Sequence, residues 1–178
     1  ARANDHWAQL GIQFFRRGNV DFINDDGLFD TDLVTELAFL WARNNVANTV
    51  NIYFVNTLTD LGTPPDRIIC GIAALPVVPG FTGAAVSINS ICNDGTNSVL
   101  AHELGHYFDL FHTHETTLGE ECPNGSNCAT AGDLICDTPA SPDLLGEPVS
   151  GPPLCQYTGS LTRCGQPFQP ATTNIMSY

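Results

Sequence analysis

Three histidines and one glutamate between positions 102 and 112 are the residues of this sequence best suited to chemistry. His102 and His106 are four residues apart, slightly more than one helical turn, so their imidazoles point from one face of a helix. Both can therefore bind one zinc ion, and Glu103, beside the first ligand, can reach a metal-bound water. Four of the chain's five histidines lie between positions 102 and 114. This clustering indicates a metal site.

The third histidine requires the helix to end before it. His112 lies six residues beyond His106, which on a continuing helix is a rotation of about 600° and leaves the two side chains roughly 240° apart. The helix must therefore end between them, and the chain must turn back. Three neutral imidazoles leave one zinc coordination position open, which catalysis requires and a structural site does not.

The elements that must position these residues follow from apolar periodicity. The predicted elements are a strand or hairpin over 12–23, a helix over 33–44, strands over 50–54, 68–75 and 84–88, and the helix with the histidines, capped by Asn97 or Ser98. The last strand before that helix is expected to be available to pair with an extended peptide. After His112 the periodicity fades, which predicts a long irregular segment.

Composition excludes several classes of protein. The 178 residues, 43% of them hydrophobic, suit one soluble globular domain. No apolar run approaches the ~20 residues of a membrane helix, so no membrane partner is expected. The formal net charge of −13 repels phosphate backbones, so no nucleic-acid partner is expected. The N-terminus has no signal segment, and we expect any targeting or pro-segment to have been removed or omitted.

Seven cysteines indicate an oxidising compartment, and hence a secreted or extracellular protein. Five of them lie between positions 122 and 164, where a large connection without a core would benefit from disulfide bonds. None belongs to a C-x-x-C pair, so a cysteine zinc cluster is not expected.

Three segments together resemble the pappalysin family of metzincin metallopeptidases, which reads roughly H-E-x-G-H-x-x-G-L-x-H-T-F, G-D-x-x-x-D-T-P and N-x-M-x-Y. They are residues 102–114, residues 132–139 and residues 174–178. The last segment contains Met176, the single methionine of the chain, in the context of a methionine turn. The resemblance covers the chain from about residue 50 to the end and extends only loosely over the first 50 residues.

The resemblance implies an α/β (α+β) metzincin-like zincin, a single catalytic domain over residues 1–178. Residues 1–112 would form an upper subdomain, a mixed twisted sheet with two helices, and residues 113–178 an irregular, disulfide-rich lower subdomain ending at the methionine turn. The zinc and substrate cleft would lie between them. Because family members continue with another cysteine and a helix, we expect a C-terminally truncated chain in which Cys164 has lost its partner.

The implied activity is that of a secreted zinc-dependent endopeptidase acting on protein or peptide substrates. The implied zinc ligands are His102, His106 and His112. Glu103 would take a proton from the zinc-bound water as it attacks the peptide carbonyl, and then deliver it to the leaving amine. Met176 would form a hydrophobic floor below the ligands, and Tyr178 could donate a hydrogen bond to the oxyanion. An inhibitory pro-segment is a further candidate partner.

The resemblance also implies structural calcium near Asp133, Asp137 and Thr138, since calcium favours carboxylate and carbonyl oxygens. The alternative is an ordinary turn with Asx hydrogen bonds before Pro139.

Two residues depart from the family pattern. Asp109 stands where the family has a glycine in a left-handed turn, a conformation that aspartate tolerates. It could form the turn only or also hydrogen-bond a ligand histidine, and we favour the first. His114 stands where the family has an aromatic residue, so we expect it behind the ligands or facing solvent.

Two other functions stay open. One is a zinc hydrolase whose third ligand is a downstream carboxylate, Glu115 or Glu120, with His112 free. The other is an inactive binding module with the metzincin fold, although the intact set of histidines with Glu103 argues against it.

Overall fold

In the computed structural model, helices and strands are concentrated in the first of two units, Ala1–Asp109, and the second unit is Leu110–Tyr178. The structure describes residues 3–60, 69–75, 83–88, 92, 98–152 and 154–177. The first unit contains the helices α1 (Ala3–Trp7), α2 (Leu37–Ala42) and α3 (Ser98–Tyr107). Its strands are β1 (Asp30–Asp32), β2 (Ile52–Val55), β3 (Thr57–Thr59), β4 (Gly71–Ala73) and β5 (Ala84–Ser87). Asn97, one of the two predicted caps of the histidine helix, lies outside the described residues.

A mixed three-stranded sheet, in the order β2-β5-β4, is the framework of the first unit. β2 is parallel to β5 and β4 is antiparallel to it, while β1 and β3 form a separate parallel pair. The last strand before the histidine helix, β5, is therefore central, and the prediction that it is available to pair with a peptide is wrong. Its residues Ala84–Val86 are all buried, as is typical of an interior strand. The two edge strands of this sheet are β2 and β4.

The core of the first unit lies between α2 and the strands. Leu40, Val55 and Leu58 are its most buried large side chains. α2 begins at Leu37 rather than at the predicted residue 33, because the Asp32 carboxylate accepts hydrogen bonds from the backbone N–H groups of Val34 and Thr35 and holds residues 33–36 in a turn.

The predicted strand or hairpin over 12–23 is wrong. These residues form no strand, and Phe15 and Phe22 are largely exposed. The backbone of Phe14 is instead bound by the side chain of Asn4, which donates to its carbonyl and accepts from its N–H group. The backbone N–H and carbonyl groups of Phe14 are therefore not available to pair in a hairpin. α1, which carries Asn4, was not predicted, and in the described part of the first unit it is present in addition to α2 and α3.

The second unit is irregular in the part that the structure describes. Its strands are two short ones, β6 (Thr162–Arg163) and β7 (Gln166–Pro167), which form an antiparallel pair. Two disulfides, Cys122–Cys164 and Cys128–Cys136, crosslink it. The expected mixed α/β class with an irregular, disulfide-rich C-terminal part is confirmed.

The prediction that Cys164 has no partner is wrong. Cys164 lies at the turn between β6 and β7, with its Cα atom 5.6 Å from that of Cys122, which is a separation that a disulfide bridges. A third disulfide, Cys70–Cys92, lies in the first unit, and the unpaired cysteine is Cys155. Cys164 therefore finds its partner 42 residues earlier in the chain.

Candidate metal centre

α3 presents two of the predicted ligands because its opposite face is fixed in the first unit. Ala101 and Leu104 are buried, and the indole N–H of Trp7 donates to the carbonyl of Ala101 at 3.3 Å. The other face carries His102 and His106, whose Nε2 atoms are 3.1 Å apart. Two nitrogen ligands of one tetrahedral zinc ion are separated by about 3.3 Å. The spacing of four residues therefore brings both imidazoles to one point.

The helix ends where the third ligand requires it to end. Tyr107 is its last residue, and the N–H group of Asp109 donates to the carbonyl of His106 at 2.9 Å, which closes a tight turn. Asp109 has φ +71°, in the left-handed region. A residue in this conformation cannot continue a right-handed helix, so the chain changes direction at Asp109.

His112 joins the other two histidines after this turn. The ligand nitrogens of His102, His106 and His112 all lie within 4.8 Å of one another, and all three side chains are half-buried. The ring of His114 stacks on that of His112, with centroids 5.0 Å apart and planes 12° apart. His114 thus packs behind a candidate ligand and is not a member of the three-nitrogen group.

Glu103 lies next to His102 and is almost completely buried, with 4% of its surface exposed. Burial raises the pKa of its carboxyl to about 8. Its Oε2 atom has no hydrogen-bond partner among the described residues. A carboxyl whose pKa lies near neutrality can both accept and donate a proton at physiological pH.

The donor set of this centre fits zinc. Imidazole nitrogen is a common zinc ligand, and three protein ligands leave a fourth position for water or substrate. The buried Oε2 atom of Glu103, which has no hydrogen-bond partner among the described residues, is the group that would accept a proton from such a water. These side chains can together bind a metal ion and carry out proton transfer beside it.

The methionine-turn segment packs within the second unit. Met176 is buried, and its N–H group donates to the side-chain carbonyl of Asn174 at 2.9 Å. The N–H group of Thr113, one residue after His112, donates to the carbonyl of Met176 at 3.1 Å. The segment therefore supports the chain that carries the third histidine. Tyr178 lies outside the described residues.

The predicted calcium residues lie beside a buried acid that sequence reasoning missed. Asp133 is buried, Thr138 is half-buried and Asp137 is exposed. The missed residue is Glu121, whose pKa is raised by burial and then by the nearby charge of Asp133. The pKa of Asp133 is also raised, mainly by burial. Oε2 of Glu121 has no hydrogen-bond partner in the described part of the chain.

The alternative carboxylate ligands have other partners. The carboxylate of Glu115 accepts hydrogen bonds from the N–H groups of Thr116 and Thr117. That of Glu120 forms an ion pair with Arg163. Neither belongs to the three-nitrogen group.

Sequence reasoning also missed Gly71, in β4. A Cβ atom at this position would lie within 3 Å of the Glu103 side chain. An isolated glycine inside a strand pattern is a general signal of close approach by another group, and that signal was present at residue 71.

Among the residues that the structure describes, no helix has the length and apolar character needed to cross a membrane.

A metalloprotease described as extracellular, from Pyricularia oryzae, is 28% identical to the chain over 152 residues, which cover 77% of the chain and 45% of that relative. The chain thus spans less than half of the relative's length. The family model described as pregnancy-associated plasma protein-A, of a peptidase family, matches residues 40–178. The chain therefore belongs to the pappalysin family of metallopeptidases.

Proposed function

We propose that this chain is the catalytic domain of a zinc-dependent endopeptidase of the metzincin type. The observation that carries the proposal is the grouping of His102, His106 and His112 beside the buried carboxyl of Glu103. A structural metal site would not need a buried proton-transfer group next to its ligands. The substrates are proteins or peptides.

When bound, zinc would polarise the peptide carbonyl and lower the pKa of a water molecule to about 7. The three imidazoles hold the ion through neutral nitrogens. Glu103 accepts the proton of the attacking water at a carboxyl oxygen and then donates it to the leaving amine nitrogen. Its burial keeps the protonated form accessible near neutral pH. β4, at the edge of the sheet, offers its backbone to an extended substrate.

The decisive experiment compares wild type with Glu103→Gln, which preserves shape and removes the proton-accepting group. We expect Glu103→Gln to retain one zinc per chain and to lose about 10²- to 10⁴-fold in kcat. Cleavage of a denatured protein is followed by mass spectrometry, and bound zinc by elemental analysis. Asp26→Asn, which neutralises an exposed acid, is the control and retains activity. Unchanged cleavage by Glu103→Gln would contradict the role of Glu103.

An inactive binding module is the second outcome of this experiment. Wild type would then bind zinc and cleave no substrate. Secretion of the chain and latency imposed by a pro-segment stay predictions.

We further propose that Tyr178 hydrogen-bonds the oxyanion that forms on the substrate carbonyl. Loss of one such donor lowers kcat by about 10²- to 10³-fold. Tyr178→Phe should therefore lower kcat and leave zinc content and KM unchanged, as measured by steady-state kinetics. Full activity of Tyr178→Phe would exclude this role.

We also propose a structural calcium site built from Asp133, Asp137, Thr138 and Glu121. Two observations support it. Glu121 and Asp133 are both buried, and Oε2 of Glu121 has no hydrogen-bond partner among the described residues. Buried charges are normally paired or bind metals. Gly132 leaves room for this carboxylate, since a Cβ atom there would lie 2.6 Å from Oε2 of Glu121.

The calcium site is tested on zinc-loaded protein by thermal unfolding with and without added calcium. We expect calcium to raise the unfolding midpoint of wild type, because an ion that binds the folded state stabilises it. Glu121→Gln should abolish this increase, and Glu120→Gln, which changes the neighbouring half-buried acid that pairs with Arg163, should preserve it. If calcium changes the unfolding midpoints of both variants equally, the calcium site is excluded and the segment is an ordinary turn before Pro139.

A further inference from the structure

Gly71 lies where the edge strand meets the catalytic helix. It is the first residue of β4 and pairs with Val86 of β5. α3 packs against both strands. Gly71 therefore faces the helix that carries Glu103, although the two residues are 32 positions apart.

A side chain at Gly71 would occupy the space of the Glu103 carboxyl. An ideal Cβ atom there would lie 2.4 Å from Oε1, 2.6 Å from Cγ and 2.7 Å from Cδ of Glu103, and these are its three nearest atoms. All three separations are below van der Waals contact. The backbone of Gly71 has no φ in the left-handed region. The glycine is thus required for space and not for backbone conformation.

Neither backbone on the two sides of this contact can easily move away. β4 is paired with β5 along its length, and Cys70, the residue before it, forms a disulfide with Cys92. On α3, Ala101 and Leu104 are fully buried on either side of Glu103. A new methyl group at Gly71 must therefore displace the flexible end of Glu103, which is its carboxyl.

We propose that Gly71 is a positioning residue for Glu103: its missing side chain leaves the space in which the carboxyl lies against β4, and its backbone limits where that carboxyl can turn. The proposal rests on the proposed catalytic role of Glu103. It assigns no metal ligand and no substrate contact to Gly71.

The kinetic test uses Gly71→Ala, with Gly151→Ala as the matched control, because a Cβ atom at Gly151 meets no atom within 4 Å. We expect Gly71→Ala to lower kcat at least 10²-fold while zinc content stays at one per chain and KM changes less than about twofold. In the Glu103→Gln background the same substitution should change the residual kcat less than about threefold, because residues that act as one unit are non-additive. Loss of zinc together with activity, or equal losses in both backgrounds, would overturn the proposal.

A second measurement needs no activity and follows thermal unfolding of the metal-free protein. In the wild-type background Gly71→Ala should lower the unfolding midpoint, because the methyl group displaces the Glu103 side chain. In the Glu103→Ala background the space is free, and the substitution should raise the midpoint, since alanine reduces the conformational entropy of the unfolded chain. A shift of the same sign in both backgrounds would overturn the proposal.

The two measurements separate this inference from the proposed function. If wild type cleaves no substrate, the proposed function fails, and the opposite shifts in midpoint still establish that Gly71 sets the position of the Glu103 carboxyl. If wild type cleaves and the shifts are equal, the proposed function stands and the role of Gly71 is excluded.

Discussion

Individual residues of the metal centre differ in what they contribute. The imidazoles of His102, His106 and His112 supply nitrogens to one point, whereas Glu103 supplies a buried carboxyl. His114 has the same chemistry as the ligands but stacks on His112. The type of side chain alone therefore does not distinguish a candidate ligand from a neighbouring histidine. Substituting each histidine in turn and measuring bound zinc can distinguish them.

The first prediction concerns the third ligand. His112→Ala should lose most of its bound zinc, because two imidazoles complete only half of a tetrahedral shell. His114→Ala is the matched control and should retain about one zinc per chain. Metal content after dialysis against zinc-buffered solution is the measurement. Zinc retained by His112→Ala and lost on changing Glu115 or Glu120 would establish a carboxylate ligand instead.

The end of α3 is the element on which the centre depends. A helix continuing past Tyr107 would carry His112 away from the other two histidines. The turn at Asp109 prevents this with a residue in the left-handed region rather than with a glycine. The family pattern has glycine there, so this chain keeps the turn at some cost in backbone strain.

The second prediction follows from that strain. Asp109→Gly should raise the free energy of unfolding of the metal-free protein by about 0.5–1 kcal/mol, because glycine adopts φ +71° without a Cβ penalty. Asp109→Ala should lower it by about 1 kcal/mol, because alanine has this penalty and lacks the polar side chain that lets aspartate tolerate the conformation. Urea unfolding measures both. Zinc affinity should stay unchanged in Asp109→Gly if Asp109 forms the turn only. A large loss of affinity would indicate that its carboxylate also orients a ligand histidine.

At the scale of the whole molecule, the unit with less regular secondary structure is the one with more disulfides. The first unit has a hydrophobic core between α2 and its strands, together with Cys70–Cys92. The second unit has little regular secondary structure in its described part and contains two disulfides. Crosslinks restrict the unfolded chain and so stabilise a unit with few strands and helices.

The third prediction uses the unpaired cysteine as its own control. Titration under denaturing conditions should find one thiol in wild type, none in Cys155→Ser and two in Cys164→Ser, which releases Cys122. Cys164→Ser opens a crosslink with a sequence separation of 42 and should lower the free energy of unfolding by about 4 kcal/mol. Cys155→Ser should leave it unchanged. No thiol in Cys164→Ser and two thiols in Cys155→Ser would mean that Cys155 is the partner of Cys122.

The sequence by itself predicted the family, the mixed α/β class and the grouping of the histidines in residues 102–112. The grouping of the histidines depends on spacing within one helix and one turn, where the backbone geometry is fixed by local chemistry. The same local reasoning failed at residues 12–23, where apolar residues suggested a hairpin. The side chain of Asn4 instead hydrogen-bonds the backbone N–H and carbonyl groups of Phe14.

Tertiary structure alone decided the contacts between distant residues. It placed β5 inside the sheet and β4 at its edge, paired Cys164 with Cys122, and brought Glu121 beside Asp133. It also placed Gly71 against Glu103. Each of these contacts joins elements whose relative placement depends on packing of the whole unit. Residue types and spacing along the chain carry no direct record of that packing, and for this reason the grouping of the three histidines could be predicted from the sequence while these contacts between distant residues could not.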